Sequence, residues 1–133
     1  MAENIRLEVV TPEKSVVSEG AQIVMAPGSL GEFGVLSGHT PFLTTLKTGA
    51  LKYKDESGNE RFVFVSSGFA EALPDRVTVL AESAERRSDI DLQRAQAAAE
   101  RAEQRLSSKE ADMDYVRAKA ALLRAISRIQ LVE

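Results

Sequence analysis

Hydrophobic and polar residues alternate in short runs along the first two thirds of the chain. At residues 5–10, Ile, Leu and Val occupy every second position, which is typical of a strand with one buried face. Two further short strands are predicted at residues 15–17 and 22–25, separated by a turn at Gly20. The chain therefore opens as a series of short antiparallel strands.

A second group of alternating runs extends to about residue 81. Residues 49–54 and 61–65 flank a polar loop whose Gly58 tolerates a positive φ, so they predict a β-hairpin. Strands at 68–73 and 76–81 repeat this layout. Turn signals recur roughly every 8 to 12 residues, a spacing typical of a β-sandwich or barrel.

The last third of the chain has a different pattern. All 8 glycines and all 4 prolines lie at or before Pro74, so residues 88–133 consist mostly of good helix formers. Ser88 with Asp91 three residues later predicts the N-cap of a first helix, with residues 82–87 as a connector. Its apolar seam has a 3-4-3-4 spacing and comprises Leu92, Ala95, Ala99, Ala102 and Leu106.

A capping box at residues 107–110, Ser-Ser-Lys-Glu, predicts the start of a second helix. Its predicted seam is Met113, Val116, Ala120 and Leu123, widened by Leu122, Ala125, Ile126 and Ile129. The short connection makes the two helices antiparallel neighbours. Alanine removes little apolar area from water, so we expect this hairpin to depend on a partner surface, a ligand or the rest of the chain.

These patterns predict an N-terminal antiparallel β-sandwich at residues 1–84, followed by a C-terminal antiparallel two-helix hairpin at residues 85–133. The net charge of -3 disfavours nucleic acid as a main partner. The absence of cysteine excludes disulfides and thiolate metal sites. We expect neither a signal peptide, because no apolar segment follows the amino terminus, nor a membrane span.

Catalytic chemistry is not expected. His39 is the only histidine, and a metal site would need carboxylates alone, so we predict no catalytic residue, no metal ion and no required cofactor. The glycine-rich residues 28–38 lack the Lys-Ser or Lys-Thr of a P-loop. They predict either a turn-rich corner of the sandwich or a loop presented to a partner, because Phe33 and Leu36 suit exposed turns poorly.

Arginines occupy one face of each predicted helix. Arg94 and Arg101 are seven residues apart on the first helix, and Arg124 and Arg128 are four apart on the second. One interpretation is a solvated charged face. The other is an anion site, because guanidinium groups suit phosphate and carboxylate.

Three segments resemble a known family. They read GEFGVLSGHTP at residues 31–41, SSGF at 66–69 and VTVLA at 77–81, and they are similar to the epsilon subunit of bacterial F-type ATP synthase. The resemblance implies a non-catalytic rotor subunit of this proton-translocating complex, whose sandwich binds the gamma subunit and the membrane c-ring. It implies a peripheral position on the cytoplasmic face of the bacterial plasma membrane, with membrane association only through the complex.

The resemblance also implies a mobile, regulatory hairpin. Extended along gamma, the hairpin would block ATP hydrolysis and bring its cationic second helix to acidic loops of the alpha and beta subunits. Folded beside the sandwich, it would bind ATP as a regulatory ligand in those family members that carry an Ile/Leu-Asp-x-x-Arg-Ala motif.

Candidate site residues follow from the same resemblance. The ATP motif is matched by Ile90, Asp91, Arg94 and Ala95, and its outlying positions by Glu85, Arg101, Arg124 and Arg128. The arginines would hold the phosphates, and Glu85 and Asp91 the adenine or ribose side. The implied c-ring contact is a loop with Gly31, Glu32, Phe33 and His39.

One departure from the family pattern is Ser67, which stands where many members have glycine, and it should matter little if the backbone there has ordinary dihedral angles. Two other classes of protein remain open at this point. One is a stand-alone nucleotide-sensing adaptor that works outside any rotor. The other is an enzyme, which would require turnover by the isolated chain.

Overall fold

A computed structural model describes residues 3–108 and 114–133 of the chain. The strands are β1 (Ile5–Val10), β2 (Ser15–Gly28), β3 (Gly31–Val35), β4 (Phe42–Leu46), β5 (Gly49–Asp55), β6 (Glu60–Leu73) and β7 (Arg76–Arg86). A short 3-10 helix (Arg87–Asp89) leads to α1 (Leu92–Ser107) and α2 (Tyr115–Val132). The predicted fold class, a β-sandwich followed by two helices, is confirmed.

Backbone hydrogen bonds close five strands into a ring in the order β1, β2, β5, β6, β7 and back to β1. Strand β1 runs parallel to β7, and the other pairs are antiparallel. Strand β3 extends this ring along the end of β2, and β4 extends it along the second half of β6. The parallel pair brings the end of β1 beside β7.

The hydrophobic core lies entirely within the sandwich. Its residues come from all seven strands, and the predicted alternation of the first strand is confirmed because Ile5, Leu7 and Val9 are buried. Phe64 is also fully buried but does not belong to this core. Its ring points instead to the side of the sheet on which the helical hairpin packs.

Several predicted strand boundaries are wrong. Strand β2 is continuous through Gly20, because its register shifts between Ala21 and Ile23 and the bent strand passes from β1 to β5 without a turn. Strand β6 is likewise continuous, since Ser67 and Gly68 take positive φ values of 56° and 137° and absorb the bend.

The structure differs from the sequence prediction in three further places. The glycine-rich segment contains a strand, β3, where the sequence predicted a corner or loop, and β4 was not predicted. Residues 82–87 are not a connector, because β7 continues to Arg86 through pairs with the first half of β6. Glu85 therefore lies on a strand.

The predicted hairpin loop between β5 and β6 is organised by one carboxylate. Asp55 accepts hydrogen bonds from the backbone N–H groups of Ser57 and Asn59 and from the Arg61 Nε. The Asn59 N–H makes the largest contribution to a lowered pKa of the Asp55 carboxyl. Gly58 supplies the positive φ, 85°, that the loop requires.

The seam of α1 is confirmed, but its start is not where the sequence predicted it. Ala95, Ala99 and Ala102 are buried. The N-cap is Asp91, whose side chain accepts a hydrogen bond from the Arg94 backbone N–H at 3.1 Å. Ser88 lies in the preceding 3-10 helix, so the predicted Ser88 cap is wrong.

The predicted start of α2 is also wrong. Ser107 belongs to α1 and donates its hydroxyl hydrogen bond to the Glu103 carbonyl oxygen at 2.9 Å, so it caps no helix. Helix α2 begins after Asp114, which accepts a hydrogen bond from the Arg117 backbone N–H. Glu110 of the predicted capping box, like Met113 of the predicted seam, lies outside the described residues.

The hairpin seam on α2 differs from the predicted one. Ala118 and Ala125 are buried, whereas Val116, Ala120 and Leu123 are exposed. Apolar residues surround α2 on more than one face, so hydrophobicity alone does not select the seam. The small residues face α1 because its own seam is alanine and the two backbones approach closely. Neither helix, over its described length, is long and apolar enough to cross a membrane.

Candidate functional site

A cleft with a volume of about 500 Å³ lies between the sandwich and the hairpin. Five parts of the chain contribute to it: the β1–β2 turn, the end of β7, the 3-10 helix, α1 and α2. Its lining residues are Thr11, Glu13, Lys14, Glu82, Ser83, Ala84, Glu85, Asp89, Asp91, Arg94, Ala95, Ala98, Arg101 and Arg128. The cleft exists only because the hairpin lies against the sandwich.

Arg128 fixes α2 to the sandwich. Its Nε donates to the Glu85 Oε1 at 2.5 Å, and a terminal nitrogen donates to the Ser83 hydroxyl oxygen at 3.2 Å. Its guanidinium lies 4.2 Å from the centroid of the Phe64 ring. A partly buried arginine that combines an ion pair, a hydrogen bond and a ring contact is strongly oriented.

Arg94 and Arg101 line the cleft from α1 and differ from Arg128 in their partners. Neither guanidinium forms an ion pair or hydrogen bond within residues 3–108 and 114–133. They lie two helical turns apart, about 10 Å along the axis, and Ala98 lies between them on the same face. The small side chain leaves open space between two unpaired cations.

The structure brings together most of the predicted nucleotide-site residues. Those lining the cleft are Glu85, Asp91, Arg94, Ala95, Arg101 and Arg128. Ile90 and Arg124 do not line it. Ile90 ends the 3-10 helix, and its N–H donates to the Arg87 carbonyl oxygen at 3.3 Å. Arg124 is half-buried one turn before Arg128 on α2.

One side of the cleft was not predicted from the sequence. Thr11, Glu13 and Lys14 on the β1–β2 turn, as well as Ser83 and Ala98, line it and were not predicted. The turn reaches the cleft because β1 pairs in parallel with β7 up to Val10 and Leu80. No local sequence pattern indicates that pairing, so the turn gave no signal.

The cleft contains charges of both signs. Its cations are Lys14, Arg94, Arg101 and Arg128, and its carboxylates are Glu13, Glu82, Glu85, Asp89 and Asp91. Two of these carboxylates have structural partners, since Glu85 binds Arg128 and Asp91 caps α1. In the described part of the chain, no group of three or more His, Asp or Glu side chains could hold a metal ion. Within this mixed lining, the guanidinium groups of Arg94 and Arg101 are the groups suited to an anionic ligand.

Of the residues predicted as a c-ring contact, Gly31, Glu32 and Phe33 lie on β3, and His39 lies in the loop between β3 and β4. Gly31 and Glu32 are exposed. Phe33 is half-buried and packs edge-to-face on Phe42, with ring centroids 5.0 Å apart. The His39 ring lies 5.6 Å from the same Phe42 ring. Glu32 is therefore the accessible charged side chain of this group, and Phe33 and His39 both pack on Phe42.

The sandwich also exposes apolar side chains at two places. Leu30, at the turn before β3, is completely exposed and was not predicted as a contact residue. On the outer face of the sheet, Phe69 and Leu80 are directly paired between β6 and β7, and Leu43 lies on neighbouring β4. Clustered apolar residues of this kind indicate a protein-binding surface more strongly than scattered ones.

Comparisons with known proteins cover the whole length of the chain. The family model for the β-sandwich domain of the ATP synthase delta/epsilon chain matches residues 4–87. The model for the long α-helix domain of the same chain matches residues 88–133. The first match ends at Arg87 and the second begins at Ser88, so the boundary lies in the 3-10 helix that follows β7.

Individual relatives and solved structures agree. The ATP synthase epsilon chain of Desulforapulum autotrophicum is 65% identical over 133 residues, which is 100% of this chain and 98% of the relative. That of Syntrophobacter fumaroxidans is 52% identical over the same 133 residues, again covering 100% and 98%. A chain of the Euglena gracilis mitochondrial ATP synthase has the same fold, with a TM-score of 0.84 at 22% identity, covering 98% of this chain and 82% of that one.

Proposed function

Because this chain belongs to the ATP synthase epsilon-chain family, we propose that it is a non-catalytic central-stalk subunit whose hairpin regulates ATP hydrolysis and binds ATP when docked. Family membership favours this function over the stand-alone adaptor and over an enzyme. The observation that carries the regulatory part is the cleft between the sandwich and the hairpin, whose Arg94 and Arg101 form no ion pair with any residue that the structure describes.

The sandwich supplies the structural part of the proposal. The solved assemblies that share this fold include a Euglena F1 with its c-ring and a Tetrahymena central stalk with its c-ring. By analogy, the patch of Leu43, Phe69 and Leu80 is the proposed contact for gamma. Exposed Glu32 and Leu30, with Gly31 and the aromatic support of Phe33 and His39, form the proposed contact for the c-ring. The subunit would thus lie at the cytoplasmic face of the plasma membrane through its partners.

The hairpin supplies the regulatory part. Its seam of alanines buries little apolar area, and Arg128 is its main polar link to the sandwich. Helix α2 also exposes Val116 and Leu123, which a second position along gamma would cover. There the basic residues of α2 would face acidic loops of the alpha and beta subunits. Two packings of similar free energy are the requirement for such a switch.

ATP binding to the docked hairpin follows from the free cations of the cleft. Arg94 and Arg101 are placed to receive the phosphates, because neither has another partner among the described residues. Arg128 already holds Glu85, so its contribution to binding is to keep α2 in place and to share its guanidinium with the ligand. Ile90 and Arg124 do not line the cleft, so they would affect ATP binding only indirectly, by holding the surrounding backbone and side chains in place.

The test is a titration of the full chain with ATP, with and without Mg²⁺, followed by the amide NMR spectrum and the thermal midpoint. We expect saturable shifts at the cleft residues and a rise in the thermal midpoint. Arg94→Ala should weaken binding by about tenfold, the factor expected for one lost charge-assisted contact.

The matched control is Arg105→Ala, because Arg105 is exposed on the same helix and does not line the cleft. It should leave ATP affinity unchanged. Absence of saturable binding up to several millimolar would contradict the ATP-binding part of the proposal. Co-purification with gamma would still test the stalk-subunit part separately.

A further inference from the structure

The β1–β2 turn lines the cleft from the sandwich side, opposite the arginines of α1. Resting on the proposed function, we propose that Lys14 of this turn is a further ligand-binding residue, which contacts the phosphates of ATP while Arg94 and Arg101 contact them from the hairpin. The bound nucleotide would then join the two parts of the molecule directly.

The backbone of the turn is fixed before any ligand binds. The Thr11 N–H donates to the Lys14 carbonyl oxygen at 2.9 Å. The Thr11 hydroxyl oxygen accepts hydrogen bonds from the N–H groups of Glu13 and Lys14 at 3.3 and 3.2 Å. Only the Lys14 side chain remains to be ordered on binding, which lowers the entropy cost of the contact.

The ammonium group of Lys14 is available to a ligand. It forms no ion pair or hydrogen bond with any residue that the structure describes. The cleft therefore offers three cations without partners, two on α1 and one on the sandwich, and a fourth, Arg128, that is held by Glu85. Lysine is a flexible point charge that can follow a phosphate over a range of positions.

This placement determines what the ligand does to the hairpin. A phosphate chain held only by α1 would bind the docked and undocked hairpin equally well and would shift neither. One that also contacts Lys14 binds the docked state more tightly, and it can stabilise that state by this difference in affinity and no more. Lys14 is thus a residue that converts ATP binding into hairpin docking.

The experiment compares ATP affinity and ATP-induced thermal shift for the full-length chain and three variants, Lys14→Ala, Lys14→Gln and Lys54→Ala. Lys54 is the matched control, because it is exposed on β5 and does not line the cleft. We expect both Lys14 variants to lose about three- to tenfold in affinity, and therefore most of the thermal shift at an ATP concentration near the dissociation constant of the original chain. The control should match the original chain.

The outcomes separate the two levels of the proposal. If the original chain binds ATP and Arg94→Ala weakens binding, but both Lys14 variants behave like Lys54→Ala, then ATP binding stands and the role of Lys14 is overturned. If the original chain itself binds no ATP, both are overturned. The ligand-free thermal midpoints of the variants confirm that each remains folded.

Discussion

At the scale of single residues, Ser67 has the least favourable backbone conformation in the sandwich. Its φ of 56° lies in the left-handed region, and it is the sole non-glycine residue there among those described. The resemblance to epsilon subunits led us to expect no effect of serine at this position, provided the dihedral angles were ordinary. That condition is not met, because the bend of β6 requires the left-handed conformation.

Replacing Ser67 by glycine should therefore stabilise the sandwich. Relief of left-handed strain gains roughly 1 to 2 kcal/mol, and the greater freedom of glycine in the unfolded chain removes about 0.5 to 1 kcal/mol of that. We expect the free energy of unfolding to rise by about 0.5 kcal/mol, measured by urea denaturation. Ser15→Gly on β2, where φ is not positive, should instead destabilise, and equal losses in both variants would contradict the strain argument.

One pair of predicted site residues lies far apart in the chain and in contact in the structure. Glu85 and Arg128 are 43 positions apart in the chain, yet both were predicted to belong to one site, and they form an ion pair. Their direct pairing was not predicted, because a family motif assigns both residues to a ligand. The ring of Phe64 beneath Arg128 was missed for a related reason: alternation in β6 does not show that both faces of the strand are covered.

At the scale of elements, α1 uses alanine for two purposes. Ala99 and Ala102 face α2, Ala98 faces the cleft, and Ala95 is both buried in the hairpin and part of the cleft wall. The seam of α1 was predictable because only one apolar stripe runs along the helix. The seam of α2 was not, because that helix has several apolar residues outside it and close packing favoured Ala118 and Ala125.

The open space beside Ala98 gives a test that alters no charge. Ala98→Leu should fill part of the cleft between Arg94 and Arg101 and lower ATP affinity by about tenfold, since overpacking of a filled site costs about 1 to 3 kcal/mol. Leucine is nearly as good a helix former as alanine, so the ligand-free thermal midpoint should change little. Isothermal titration measures the affinity.

The neighbouring Ala97 supplies the control for this experiment. It is exposed and lies outside the cleft lining, so Ala97→Leu should leave ATP affinity unchanged. Equal affinity in the two leucine variants would show that the space beside Ala98 is not where the ligand binds.

At the scale of the whole molecule, the sandwich and the hairpin differ in how they are stabilised. The sandwich contains the entire hydrophobic core, so removal of the chain after Ser88 should leave a folded β domain. The same truncation uncovers Phe64, which otherwise lies beneath Arg128. We therefore expect a cooperative thermal transition together with increased binding of the dye ANS.

A second substitution isolates the cause of that dye binding. Phe64→Thr in the truncated chain should return ANS fluorescence towards that of the full chain, in which the patch around Phe69 is exposed in any case. Failure of the truncated chain to fold would show instead that the hairpin is part of the folding unit. The readout is the difference between chains, not the absolute fluorescence.

The fold class and most of the candidate site were predictable because they depend on local patterns and on one family motif. The cleft itself was not predictable. It requires the parallel pairing of β1 with β7, which joins residues such as Arg6 and Arg76, and no periodicity within either strand indicates its partner. That long-range pairing is what brings Lys14 to the cleft.

The two 14-residue strands, β2 and β6, have a mechanical consequence. Each bends and continues from one part of the sandwich to the other, so the layers are joined by covalent backbone as well as by side-chain packing. Sliding one layer past the other would therefore break rows of backbone hydrogen bonds, and not only the packing of apolar side chains between the layers. A body built in this way resists shear, so a torque applied to one layer of the sandwich is passed to the other layer through the backbone.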